Sequence, residues 1–288
     1  MKPSRFIYLR PKTLAELLES LTIYGSRAKI LAGGQSLVPM MNFRIVAPEI
    51  LLDINQLSNA DYIRLEDREL VIGPLVRHAS LRASPLVLDH FPLMALAYQY
   101  VAHSAIRNRG TLCGNLSHAD PSSEMPAVML AHDAKMVVSS LRGVRTIEAR
   151  DFFLGLYQTA LEPDEFLAEV RIPLTAESVG WGFEEVSVRR GDYAMTLVAA
   201  LLWLEGGRIA RAAIAFAGVS DRALRDSGIE QNLVGQVPSA ALFAEAGLRA
   251  SQTFPLIEDI NADAAYRRDL IKTLTTRALI SALEHAKQ

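Results

Sequence analysis

A chain of 288 residues, half of them hydrophobic, has the material for two domains of ordinary size and a large core. Its 30 Lys and Arg nearly balance 32 Asp and Glu, and a net charge of −2 gives no general pull towards nucleic acid or an anionic membrane. The single cysteine, Cys113, excludes an internal disulfide and cannot by itself hold an iron–sulfur cluster or a structural zinc, so any metal redox centre this protein works with must sit largely in another chain.

The start of the chain is basic, with no long apolar stretch behind it, so no secretory signal is expected. No run approaches the roughly 20 apolar residues that span a bilayer. The longest, residues 194–204, is too short, and a cytoplasmic protein is the simplest reading.

Thr13 and Glu16 form a capping box, each able to satisfy a free backbone N–H at a helix start. Leu14, Leu17, Leu18 and Leu21 then recur at helical spacing as far as a stop at Gly25. Residues 28–31 predict a short strand, a glycine loop follows directly, and a second strand is expected at 50–54. This opening lacks the G-x-G-x-x-G spacing of the Rossmann fingerprint. Residues 62–65 and 69–72 read as a hairpin around Glu66-Asp67-Arg68.

A helix is expected over 92–103, with Pro92 in the tolerated first turn, and then a polar, glycine-containing loop over 106–123. A helix over 125–132, a hairpin of 135–139 with 144–148, and a strand at 165–172 ended by Pro173 follow. The polar stretch 174–180 marks a domain boundary, giving units 1–176 and 177–288. Beyond it come strands at 181–188, 195–204 and 209–219, with Gly206-Gly207 as a tight reversal. Helices at 239–250 and 269–286 finish the chain, and Leu270, Leu274, Ala278 and Ala282 make one apolar stripe on the last. Strands first and helices afterwards indicate an α+β fold rather than a wound parallel sheet.

Two loops carry the candidate chemistry. In Ala32-Gly33-Gly34-Gln35-Ser36-Leu37, adjacent glycines let a ligand approach the backbone and permit positive φ, so that successive N–H groups converge on an anion. Ser36 adds a hydroxyl. In Gly110-Thr111-Leu112-Cys113-Gly114-Asn115, glycines again alternate with short hydrogen-bonding side chains. Each loop alone also reads as an ordinary tight turn. Together they suit a long ligand with a central diphosphate.

Other residues keep two readings. Asp120, before Pro121, is a turn residue or a carboxylate accepting from a ribose. Arg107 and Arg109 offset phosphate charge or form solvated ion pairs. Tyr193, in Gly191-Asp192-Tyr193, stacks on a planar ring or packs between the domains. His103, His118, His132, Glu124 and Asp133 have no compact metal-ligand spacing. Cys113 has no triad partner and reads as a small buried thiol.

At these residues the sequence resembles the FAD-binding medium subunits of the xanthine oxidase and carbon monoxide dehydrogenase group. The resemblance runs over essentially the whole chain. It starts at residues 8–11 and takes in the first glycine loop, Ala47-Pro48 leading to Asp53, and residues 106–115. It continues through Asp120-Pro121, Met125-Pro126-Ala127, Ile172-Pro173, Gly191-Asp192-Tyr193-Ala194 and Tyr266-Arg267.

The resemblance implies a two-lobed FAD domain of the vanillyl-alcohol-oxidase (PCMH) type, with lobes at about 1–57 and 58–176. A small α+β domain like the CO dehydrogenase flavoprotein carboxy-terminal domain would follow. It assigns to the cofactor Ala32, Gly33, Gly34, Gln35, Ser36 and Leu37, then Ile106, Gly110, Thr111, Cys113, Gly114 and Asn115. Asp120 lies close to FAD, and Leu161 and Tyr193 flank the flavin ring. No residue is expected as an acid–base catalyst or metal ligand.

The resemblance also implies partners: a large molybdenum–pterin subunit, a small subunit with iron–sulfur clusters, a dimer of such heterotrimers and an external electron acceptor. The flavin relays electrons, while substrate is hydroxylated in the large subunit. Residues 101–111 are similar to those of N-heteroaromatic hydroxylases such as quinoline 2-oxidoreductase. Two positions depart from many members, which have Gly in place of Cys113 and His in place of Gln35. Two rival readings are a free-standing flavin oxidoreductase, which would turn over alone, and an assembly subunit that has lost FAD, which would be colourless.

Overall fold

Strand β1 (Ile7–Leu9) leads to helix α1 (Leu14–Tyr24) in a computed structural model that describes residues 1–175 and 178–286. The Thr13 hydroxyl accepts from the Glu16 N–H at 3.2 Å, a cap worth about 1 kcal/mol. The Glu16 carboxylate reaches back one residue further than a standard box, to the Lys12 N–H at 2.7 Å. Gly25 ends the helix with φ 50°. Strand β2 (Ala28–Leu31), helix α2 (Leu37–Asn42) and strand β3 (Ile50–Asp53) complete a first lobe. β3 lies between β1 and β2 and runs parallel to both. Leu17, Leu18 and Leu21 of α1 pack with Ile50 and Leu52 in the core of this lobe.

A second lobe begins with strands β4 (Ile63–Glu66) and β5 (Glu69–Ile72), the expected hairpin. Helices α3 (His78–Ala83), α4 (Pro85–His90), α5 (Pro92–Ala97), α6 (Ser104–Arg107), α7 (Leu112–His118) and α8 (Glu124–Ala131) follow. Strands β6 (Lys135–Ser140) and β7 (Gly143–Glu148), helix α9 (Ala149–Phe152) and the hairpin β8 (Phe153–Gly155) with β9 (Gln158–Thr159) come next. Strand β10 (Phe166–Pro173) then enters the middle of an antiparallel sheet of order β4-β5-β10-β6-β7.

Two expectations are corrected here. The helix predicted over 92–103 stops at Ala97. Ala102 adopts φ 43°, and the Arg107 guanidinium donates to the Val101 and Ala102 carbonyls at 2.8 and 2.6 Å, so the chain turns where the helix would have continued. The loop predicted over 106–123 contains α7. Thr111 caps it, and Leu112, Cys113 and Leu116 form a buried face that outweighs the helix penalty of about 1 kcal/mol for Gly114.

The remaining elements are strands β11 (Gly180–Ser187), β12 (Ala194–Glu205), β13 (Arg208–Ala217) and β14 (Leu224–Arg225), then helices α10 (Ser227–Gln231), α11 (Ala240–Thr253) and α12 (Ala264–Ala286). The four strands form an antiparallel sheet in chain order. Gly206 and Gly207 both have positive φ, 56° and 75°, as a two-residue hairpin turn demands.

The sheet is buried on both faces, which is why β12 reads as a continuous apolar run. Leu197, Ala199 and Leu201 join the core of the second lobe, while Val198, Ala200 and Leu202 join the core under α11 and α12. Helix α12 starts before the expected Asp269, because the Asp263 carboxylate accepts from the Tyr266 N–H at 2.7 Å. Its buried side includes Leu274, Ala278 and Ala282, with Leu270 half-buried. The boundary drawn between 176 and 177 falls outside the described residues. No helix among the described residues is long and apolar enough to cross a membrane.

Candidate functional site

The first glycine loop leaves β2 and enters α2. Val38 N–H donates to Gly34 O and Met40 N–H to Ser36 O, so α2 closes on the loop's own carbonyls. The Gln35 amide turns back to donate to Gly33 O at 2.9 Å. The backbone N–H groups of Gly33, Gly34, Gln35, Ser36 and Leu37 meet no protein acceptor among the described residues. Five neighbouring free donors at a strand-to-helix turn form an anion-binding nest. Positive φ, expected as a general property of both loops, falls on Gly34 alone among their glycines, at 72°.

The second loop enters α7. Its entry is held by the Gly110 N–H on Ile106 O at 2.7 Å and by bridge bonds from His78 and Leu112. The Thr111 hydroxyl oxygen accepts from the Gly114 N–H at 3.1 Å, which leaves its hydrogen for a ligand. Asn115 donates to the Ser123 hydroxyl at 2.8 Å, while its Oδ1 is buried without a partner. Cys113 turns inward, its thiol on Gly73 O at 3.8 Å, and burial pushes that thiol well above its ordinary range. It can offer a ligand backbone only.

The fold brings the two loops into contact. A Cβ on Gly33 would overlap the Arg109 carbonyl and stand 2.6 Å from Gly110 Cα, and Ala32 Cβ lies within 3.9 Å of the Cβ position of Gly114. Arg77 locks this approach, donating to Arg109 O at 2.7 Å and to Asn55 Oδ1 at 2.6 Å. Asn55 in turn donates to Ala32 O at 2.8 Å. Beside the loops is a cavity of about 450 Å³, lined by Tyr8, Gly34, Gln35, Asp53, Asn55 and Arg109 among others. Burial works against the Asp53 charge, but hydrogen bonds from Tyr8 and Asn55 hold its carboxyl below the usual range. Sequence reasoning missed Asn55 and Arg77. Neither stands in a recognisable spacing, and both act by distant backbone contacts.

At the other side stands Asp120, buried beneath the turn before α8. Its Oδ1 accepts from the Ser122 N–H at 2.9 Å, and the Tyr157 hydroxyl lies 3.4 Å from its Oδ2. Burial pushes its carboxyl up despite those bonds and the nearby His118. Tyr157 stacks on His118 with ring centres 4.9 Å apart. Tyr193 comes from the second domain, and burial together with the nearby Asp120 charge pushes its hydroxyl well above its ordinary range. The residue is 54% exposed. Leu161 follows β9 and packs on the core of the second lobe. Ile106, in α6, is 38% exposed. Among the described residues no three His, Cys, Asp or Glu gather as metal ligands.

Free amides in a nest, a second loop pressed against the first, an orphaned amide oxygen on Asn115 and a buried carboxylate with a half-exposed tyrosine fit a long dinucleotide with a diphosphate at its centre. The fold and site together define a two-lobed dinucleotide-binding flavoprotein domain.

Residues 4–175 match the family model described as the FAD binding domain in molybdopterin dehydrogenase, and residues 181–282 match the CO dehydrogenase flavoprotein C-terminal domain. The chain is 40% identical over 285 residues to caffeine dehydrogenase subunit beta of Pseudomonas sp. (strain CBB1), covering 99% of this chain and 97% of that one. Among solved structures, quinoline 2-oxidoreductase from Pseudomonas putida 86 superposes with a TM-score of 0.94 at 37% identity, covering all of both chains. Carbon monoxide dehydrogenase from Hydrogenophaga pseudoflava superposes at 0.96 with 36% identity over 99% of each chain. The chain belongs to the family of FAD-binding subunits of molybdopterin dehydrogenases, and FAD is its cofactor.

Proposed function

We propose that this chain is the FAD-carrying medium subunit of a molybdenum hydroxylase. It would take electrons from iron–sulfur clusters of a small subunit while a large molybdenum–pterin subunit hydroxylates the substrate. One pairing of observations supports this most directly: the free amides of residues 33–37 lie against the second glycine loop, and the chain's one cysteine is buried. The chain can seat a dinucleotide but cannot supply clusters.

Bound FAD supplies the redox chemistry. Gly33, Gly34, Gln35, Ser36 and Leu37 offer backbone N–H groups to its diphosphate, with Thr111, Gly114 and Asn115 opposite. Tyr193, close to Asp120, would flank the flavin ring. Leu161 would flank the flavin ring as well. We place the domain boundary between 176 and 177, in the stretch between the two matched regions.

The assembly is a dimer of heterotrimers in the cytoplasm, passing electrons to an external acceptor. The substrate class is N-heteroaromatic. Full-length similarity to subunits named for caffeine and quinoline, both ring-nitrogen compounds, supports that choice. An absorption spectrum and cofactor extraction on the protein with its copurifying subunits test the reading. About one non-covalent FAD per chain, with molybdenum and iron in the accompanying subunits, is expected. A colourless chain that takes up no FAD on reconstitution refutes it.

A further inference from the structure

We propose that Arg267 is a positioning residue of the flavin site, acting on Asp120 and Tyr193 through the backbone of β12 and of the turn after β13. The proposal rests on the flavin-site reading above. Arg267 lies in the first turn of α12 and is fully buried. A guanidinium leaves water at high cost unless acceptors meet its N–H groups. Here one terminal nitrogen donates to the carbonyls of both Met195 and Gly218, and the other donates to the Asp259 carboxylate at 2.6 Å, while Nε is buried without a partner. Asp259 is braced by the N–H groups of Asn261 and Ala262 at 2.8 and 3.0 Å. The core that α12 joins is otherwise lined by Ile271, Leu274 and Ala278, which need no charge.

The two carbonyls lie where the second domain grips the first. Gly218 N–H donates to Pro121 O at 2.7 Å, and Ala194 N–H donates to Ser122 O at 3.3 Å. Ser122 N–H then donates to Asp120, and Tyr193 directly precedes Ala194. Gly218 has φ 71°, and a Cβ there would stand 2.7 Å from Met195 O, so the two clasped segments already touch. An arginine that only tied helix to sheet would end at those strands. This one ends on two segments that each donate across the domain junction to the turn carrying Asp120. Both flavin-side groups therefore take their positions from one buried cation.

The test uses the holoenzyme, with Arg267→Lys and Asp259→Asn as variants. FAD retention, the visible circular dichroism of the flavin and its reduction potential are read, with far-ultraviolet circular dichroism as the folding control. A lysine cannot reach two carbonyls and the carboxylate together. FAD affinity should fall about tenfold, with a changed flavin dichroism band, on loss of charge-assisted hydrogen bonds. Asp259→Asn should move the same signals in the same direction by less.

Folded variants with wild-type flavin dichroism, potential and affinity would overturn the proposal. If Arg267→Lys does not fold, Asp259→Asn decides alone, and unchanged flavin signals in it overturn the proposal. A wild-type enzyme without FAD removes the underlying reading and this proposal together. A flavin-loaded wild type with indifferent variants removes only this one.

Discussion

The Arg109 carbonyl occupies the space that a side chain on Gly33 would need. Gly33 does not have positive φ, so the requirement for glycine there is one of room and not of backbone conformation. Gly33→Ala should therefore push the two loops apart and lower FAD affinity at least about tenfold, since the displaced donors lose their aim. Gly33→Val should abolish binding. Titration of the apoprotein with FAD, followed by flavin fluorescence, measures both. At Gly114 the added Cβ meets only the Thr111 hydroxyl, at 2.7 Å, so Gly114→Ala should weaken the α7 cap by about 1 kcal/mol and reduce FAD affinity less. Gly114→Val should still abolish it.

Tyr193→Phe removes one of the groups that oppose the burial of Asp120. The Asp120 carboxyl, already raised, should then titrate at still higher pH. Isotope-edited infrared spectroscopy of the carboxyl reads this shift. FAD should remain bound, because the amide nest is untouched. The flavin absorption bands should change shape as the ring loses its polar hydroxyl.

Glu185 on β11 has both carboxylate oxygens buried without a partner, and burial together with the Glu124 charge raises it to about 8. Glu124 itself is raised by burial to about 7. A carboxyl held above its ordinary value of 4.5 binds its proton more tightly in the folded chain. Ionisation of Glu185 therefore costs the fold stability: the cost is absent below about pH 4.5, grows as pH rises and is complete above about 8. Glu185→Gln should leave stability at pH 4 nearly unchanged and raise it at pH 9 by on the order of 2–4 kcal/mol. Denaturant melts across that range check the sign. A variant less stable at pH 9 than the wild type would show that the fold favours the ionised Glu185 and that its carboxyl is not raised.

Cys113 should be inert in the native chain. Its thiol is 3% exposed and shifted well above the ordinary value, so too little thiolate is present to attack a disulfide reagent at neutral pH. Labelling should appear only on unfolding. Cys113→Gly should leave FAD affinity near normal but lower stability by about 1–2 kcal/mol, through loss of a buried side chain and a second glycine in α7.

Periodicity made several elements legible. The leucines of α1, the hairpin of β6 and β7 and the Gly206-Gly207 reversal stand as expected, because each depends on neighbours in sequence. The strand of β12 stands as expected, but only the structure shows its two faces buried against different cores. Helix α7 was hidden. Its glycine and short polar residues have loop composition, and only the core receiving Leu112 and Leu116 makes helix the better state. The early end of α5 was equally hidden, as was the turn at Val101 and Ala102 whose carbonyls Arg107 reaches back to.

By itself the sequence determined the chemical character of the site: two glycine loops, a carboxylate before a proline, a tyrosine in a turn and too few thiols for a cluster. These are properties of residue type and short spacing, and they survive in any fold. Tertiary structure alone decided that the loops touch, that Asn55 and Arg77 lock them, and that Tyr193 of another domain stands near Asp120. It also decided that Arg267 clasps the Met195 and Gly218 carbonyls. Each of these depends on a hydrogen bond or a steric fit between residues far apart in the chain. Such contacts form only once the apolar faces of three separate cores have fixed where the backbone runs.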